Sequence, residues 1–277
     1  MKRLLIAIPF FPVFYAIVRF RNPLIFTLFV VLVAATGLFE FYRLFFRERK
    51  WSVIWTGEAI SLGLLSAFYL QGMDLEGLEK FSNPFFLVSF FTVLFLLFLA
   101  VHLLTDRDAF FLSVSVMGTG LIYVPWLLGH LILLRLHGRG AELIFLLAMV
   151  TWGTDAGALY TGKLAGRRKL AATISPNKTV EGAVGGLIFG VTLGWVARAL
   201  LFPAVSLSEI GVLSLVMSAS GQAGDLVESM FKRANQVKDS GGLLPGHGGI
   251  LDKIDSFVFT GPVLFYYVTY VSPSFGN

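Results

Sequence analysis

Nine stretches of roughly 20 apolar residues recur along this chain, at 4–18, 22–46, 51–73, 84–104, 108–134, 141–165, 179–201, 206–228 and 254–274. Each is long enough, or nearly so, to cross the hydrocarbon core of a bilayer as a helix. Inside that core every backbone polar group must be satisfied within its own segment, so helices are the solution open to such stretches. The expectation is an all-α, polytopic integral membrane protein with about nine transmembrane helices. Composition agrees: 56% of residues are hydrophobic and only 14% charged, where soluble domains carry about 25% charged residues. The first segment follows Met1-Lys2-Arg3, as a signal peptide would. Large residues such as Phe14, Tyr15 and Phe20 occupy the place of a small-residue cleavage site, so it reads as a retained span. Pro125 is expected to kink the fifth span.

The charges that remain are placed unevenly. An odd number of spans puts the two chain ends on opposite sides. Sixteen of the 22 Lys and Arg then fall on the side of the N-terminus and six on the other. The positive-inside rule makes the N-terminal side cytoplasmic. The net charge of +5 therefore reflects membrane topology and not nucleic acid binding. Two basic loops, 166–178 and 229–253, are separated by two spans and so share the cytoplasmic face. The expected division is five N-terminal spans over 1–140 and a catalytic region of four spans over 141–277.

Acidic residues converge on the same face. Asp155 lies about 21 Å along the sixth span at 1.5 Å per residue, in its cytoplasmic half. Asp225 and Glu228 are three apart near the end of the eighth span and share a helix face. Asp252 and Asp255, also three apart, stand at the start of the ninth, and Glu181 opens the seventh. Buried carboxylates in lipid are costly without positive charge. Either Lys and Arg supply it or a metal does; for Asp225 and Asp252, the oxygen-rich setting beside phosphate-seeking bases suits Mg2+. Cysteine is absent, which excludes disulfides, thiolate metal sites and a cysteine nucleophile.

Glycines fall into two groups. Gly182, Gly186, Gly190 and Gly194 recur every fourth residue in the seventh span, and Gly153–Gly157 and Gly162–Gly166 share that spacing in the sixth. Such stripes let helix backbones approach closely. Gly241, Gly242, Gly246, Gly248 and Gly249 instead lie in the second basic loop, where bare N–H groups can cradle phosphate oxygens. His102, His130 and His137 read as interfacial or structural. His247 stands apart because charged residues surround it.

One run carries the chemistry: Ser229, Lys232-Arg233, Lys238-Asp239, Pro245, His247-Gly248-Gly249, Asp252-Lys253 and Asp255. With Gly153-Thr154-Asp155-Ala156-Gly157 and Ser175-Pro176-Asn177-Lys178-Thr179-Val180-Glu181, it resembles the CDP-diacylglycerol synthases, or phosphatidate cytidylyltransferases. The likeness covers most of 141–277. Lys253 stands where that family usually has Arg, keeping the charge without the bidentate fork; Asn177 and Val180 also depart from the pattern.

The resemblance implies that CTP and phosphatidic acid give CDP-diacylglycerol and pyrophosphate, in phospholipid biosynthesis at the inner membrane. It implies Mg2+ on Asp225 and Asp252, with a second cation such as K+ left open, and a homodimer. Asp225, Asp252, Lys232, Arg233, Lys238, Asp239 and His247 are then the expected catalytic residues. Asp155, Ser175, Lys178, Glu181, Ser229, Gly248, Gly249, Lys253 and Asp255 are the expected substrate-binding residues. The chemistry suits them. A phosphate monoester with a second pKa near ~6 is already an anionic nucleophile at neutral pH, so the need is for cations and not for a strong base. A CTP-dependent kinase or transferase for another lipid, and a transporter, are the alternatives.

Overall fold

The computed structural model describes residues 2–46, 51–73, 85–105, 110–241, 248–272 and 275, with backbone only for 2–10, 101–105 and 110. Helices occupy every apolar segment: α1 (Lys2–Arg19), α2 (Pro23–Phe45), α3 (Trp51–Gly72), α4 (Phe85–Thr105), α5 (Phe110–Leu121), α6 (Leu127–Leu136), α7 (Gly140–Ala165), α8 (Val180–Leu201), α9 (Leu207–Ala234) and α10 (Leu251–Tyr270). Among the described residues, six stretches are long and apolar enough to cross a membrane: Pro23–Phe45, Trp51–Gly72, Phe111–Leu136, Gly140–Ala165, Val180–Leu201 and Leu207–Ala234. The architecture is that of an all-α polytopic membrane protein.

Local sequence sets the helix ends. Asn22 caps α2, its side chain accepting Leu24 N–H at 2.9 Å, and Pro23 follows at a position where its missing donor costs nothing. Ser206 caps α9, accepting Glu209 N–H at 3.1 Å. Between α5 and α6 a π-helical turn, Ile122–Trp126, contains Pro125. The wider turn makes room for the proline ring and its missing N–H, so the expected kink is taken up as a π-bulge. His130 is buried and its Nδ1 bonds Trp126 O at 3.0 Å, a structural role.

Two loop expectations change. Residues 166–178, drawn as a loop, contain an antiparallel hairpin of β1 (Lys169–Ala171) and β2 (Ser175–Thr179), pairing Lys169 with Thr179 and Ala171 with Ser175. Pro176 is tolerated because a two-stranded sheet has only edge strands. The second basic loop, drawn from 229, begins later. α9 continues to Ala234 because Lys232 pairs with Glu228 one turn back and Lys232-Arg233 suit the negative C-terminal end of the helix dipole.

The chain forms two compact units. The first holds Met1–Leu136 and Ser240–Leu251. Its core gathers Leu38, Phe41, Tyr42, Leu64, Phe68, Met117 and Leu121, all essentially sealed from solvent. Tyr42 Oη donates to Met117 O at 3.2 Å. The segment Ser240–Leu251, expected to go with the C-terminal region, groups with α2 instead. The buried Glu40 carboxylate accepts Ser240 Oγ at 3.2 Å and Leu251 N–H at 2.9 Å.

The second unit holds His137–Asp239 and Asp252–Asn277. α7 packs on α8 through the small-residue stripes. A Cβ on Gly182 would lie 2.9 Å from Ala158 O, closer than real side chains come, so these backbones are in direct contact. One face of α8 meets hydroxyls: a Cβ on Gly190 or Gly194 would collide with Ser218 or Ser214. Thr154 Oγ1 donates to Ser218 Oγ at 2.8 Å, tying α7 to α9 beside that face.

Candidate active site

The site grows from the hairpin and three helix ends of the second unit. Thr179 caps α8, accepting Gly182 N–H at 3.1 Å. Glu181, the second residue of α8, accepts the backbone N–H of Arg167 at 2.9 Å and of Arg168 at 3.1 Å. Both ends of the hairpin are thereby fixed to the start of α8. Lys178, immediately before the cap, reaches Asp225 on α9 with Nζ 2.7 Å from Oδ2.

α9 presents Asp225, Glu228, Ser229 and Lys232 at helical spacing, three, four and seven residues on from the first. Glu228 is fully buried and Ser229 nearly so. Lys232 Nζ pairs with Glu228 and also lies 2.6 Å from Asp252 Oδ1 on α10. Glu228 faces the Asp252 carboxylate as well. The approach of α10 is made possible by Gly224, where any Cβ would strike Asp255 O. Asp255 therefore stands beside Asp225, within the field of Asp225 and Asp155. Asp155, on α7, accepts Ser256 Oγ at 3.5 Å and interacts electrostatically with Asp225, Lys178 and Lys253.

Among the described residues, Asp225, Glu228 and Asp255 each offer a carboxylate oxygen, all within 4.8 Å of one another. Asp252 adjoins this group through Glu228. Five carboxylates (Asp155, Asp225, Glu228, Asp252 and Asp255) thus face three ammonium groups (Lys178, Lys232 and Lys253). Hard oxygen donors with surplus negative charge fit Mg2+.

The remaining expected residues fall as follows. Arg233 donates to Ile174 O at 3.1 Å and Val237 O at 3.0 Å, bracing the hairpin turn against the end of α9. Ser175 opens β2 opposite Ala171. Lys238 and Asp239 are exposed. His247 lies outside the described residues. Gly248, in the first unit, has φ of 81°, a conformation that favours glycine. Gly249 sits against Glu40 and Ser240, where a Cβ would collide.

Glu228, not among the expected catalytic or substrate-binding residues, both pairs with Lys232 and belongs to the carboxylate group. Its signal was legible, three residues after Asp225 and four before Lys232. Gly224 carried none, because its use depends on which helix packs there.

Comparison with known proteins bears on the whole chain. The profile of the "Cytidylyltransferase family" matches residues 1–271. A phosphatidate cytidylyltransferase of Bacillus subtilis (strain 168) is 35% identical over 246 residues, 87% of each chain. One from Staphylococcus aureus (strain COL) is 40% identical over 199 residues, 71% of this chain and 70% of that one. One from Staphylococcus saprophyticus is 43% identical over 153 residues, 55% of each. A match from the first residue through the end of α10, over the elements that bring these acids and bases together, assigns the lineage: the chain belongs to the cytidylyltransferase family.

Proposed function

We propose that this protein transfers CMP from CTP to phosphatidic acid, giving CDP-diacylglycerol and pyrophosphate. The observation that carries the reading is the group of carboxylates on α7, α9 and α10 interleaved with Lys178 and Lys232, in a chain of this family. A phosphatidate oxygen attacks the α-phosphorus of CTP. A new P–O–P bond forms, the α–β bridge breaks, and the electron pair leaves with pyrophosphate. The attacking oxygen is anionic at neutral pH, so no proton need be removed. The barrier is the meeting of two polyanions.

Asp225, Glu228 and Asp255 would hold Mg2+, with Asp252 adjoining them. Positive charge for the triphosphate and for departing pyrophosphate is what such an ion would supply when bound. The chain's own cations do the rest. Lys178 and Lys232 are each held by a carboxylate at 2.6–2.7 Å, which keeps an ammonium group oriented beside the place where phosphate oxygens arrive. Lys253 adds charge next to Asp155. Arg233 steadies the hairpin that carries Lys178. Asp155, Ser175 and Ser229 belong to the substrate-binding surface, with Lys238 and Asp239 on the segment that follows α9.

Nine spans with a cytoplasmic N-terminus, a site open to cytoplasmic CTP, a second cation such as K+ and a homodimer complete the reading. The lysine and arginine distribution supports the orientation, and the family resemblance supports the last two. The test is purified protein in detergent with labelled CTP, phosphatidate and Mg2+. Lipid-linked CMP with one pyrophosphate per turnover is expected. Release of CDP instead, meaning phosphoryl transfer, overturns the reading, as does flux in vesicles without CTP turnover.

A further inference from the structure

Glu40 is a buried acid of the first unit, and the donors to its carboxylate, Ser240 Oγ and Leu251 N–H, are neutral. It lies on α2, five residues before the helix ends, and is 4% exposed. One oxygen, Oε2, accepts both Ser240 Oγ and Leu251 N–H, at 3.2 and 2.9 Å. The other is buried without a hydrogen-bond donor. Gly241 and Gly249 fit around the same carboxylate: a Cβ on Gly241 would lie 2.5 Å from Oε1, and one on Gly249 would collide with Oε2. Ser240, Gly241, Gly249 and Leu251, at the two ends of one chain segment, thus converge on a single side chain 200 residues from Ser240 and 211 from Leu251, on another helix. A buried carboxylate is costly, and nothing in an apolar helix requires one for packing.

Leu251 is the first residue of α10. Its N–H is one of the donors that a helix start leaves without an internal partner, and Glu40 satisfies it from outside the helix, with the charge sign that a helix N-terminus favours. Asp252 is the next residue in the chain, and Asp255 lies one turn on.

We propose that Glu40 is a positioning residue for the transfer reaction. It clasps both ends of the segment Ser240–Leu251 and thereby fixes the backbone of Leu251, the residue from which α10 runs on into Asp252 and Asp255. The two glycines at 241 and 249 make room for the clasp, a use distinct from cradling phosphate. The inference rests on the transferase reading, and its test separates the two.

Activity and amide exchange are measured on Glu40→Ala, Glu40→Gln, Ser240→Ala, the Glu40→Ala/Ser240→Ala pair, and Leu38→Ala. Leu38→Ala opens a cavity in the same helix away from the segment. Glu40→Ala is expected to lower kcat about tenfold with a smaller change in KM for CTP, since acids misplaced for the transition state cost turnover more than binding. Glu40→Gln, which keeps an acceptor oxygen and the shape, should restore most of it. The double variant should be no slower than Glu40→Ala alone. Peptides spanning Leu251 should exchange faster in Glu40→Ala than in the parent protein. Unchanged kcat in Glu40→Ala, an equal fall in Leu38→Ala, no rescue by Gln, or additive losses in the pair overturns the proposal. Should the parent protein form no lipid-linked CMP, the transferase reading fails while exchange at Leu251 still decides the clasp: unaltered protection in Glu40→Ala rejects it.

Discussion

Lys232 ties α9 to α10 through two carboxylates. Its ammonium group meets a fully buried Glu228 and a half-buried Asp252. Removing one partner of a buried ion pair leaves the other uncompensated and costs about 3–5 kcal/mol. Lys232→Met should therefore lower thermal stability in detergent, and Lys232→Met/Glu228→Gln should recover part of the loss; equal melting temperatures for parent and single variant would contradict the burial of the pair. Asp225→Asn and Asp252→Asn differ in kind. Each keeps shape and removes one charge where surplus negative charge is wanted for a cation. Each should reduce lipid-linked CMP formation by about two orders of magnitude while the protein remains folded. Chelation of divalent ions should likewise stop turnover, and added Mg2+ should restore it. Near-normal activity in the Asp225→Asn variant removes the metal assignment.

At the level of elements, the contact of α7 with α8 and of α8 with α9 depends on the absence of side chains. Gly190 faces Ser218 and Thr154 so closely that a Cβ has no space. Gly190→Leu must push α8 away from its neighbours, and overpacking of this kind costs about 1–3 kcal/mol or more. Gly138, between α6 and α7, has open space around it, and Gly138→Ala should change stability by less than about 0.5 kcal/mol. Thermal unfolding of the two variants side by side checks the contrast. The hairpin shows a different logic. Its strands are too short to be stable alone. It is held because Glu181 takes two amide protons at one end and Arg233 braces the turn at the other. That arrangement carries Lys178 to Asp225.

For the whole molecule, the orientation in the bilayer is open to a direct experiment. The chain has no cysteine, so single cysteines report without background. Gly138→Cys lies in the short connection before α7 and Ala172→Cys at the hairpin turn. The proposed topology expects a membrane-impermeant maleimide to label Gly138→Cys in intact cells, and Ala172→Cys only after the membrane is opened. The reverse pattern would invert the orientation. Read alone, the chain already announces helices in a membrane, because the period and length of apolar runs report directly on backbone solvation. It also shows the acids and bases of the site, because charge in such a chain is too costly to be incidental. Asp225 with Glu228 and Asp252 with Asp255 were visible as pairs on helix faces. Partner choice was not visible. That Lys178 goes to Asp225 and Lys232 to Asp252, that Gly224 admits α10, and that Glu40 grips a segment two hundred residues away all follow from which helices pack together. Spacing along a chain encodes the face a residue shares with its neighbours a turn away; contacts across helices arise from the packing of whole surfaces, which no local pattern contains.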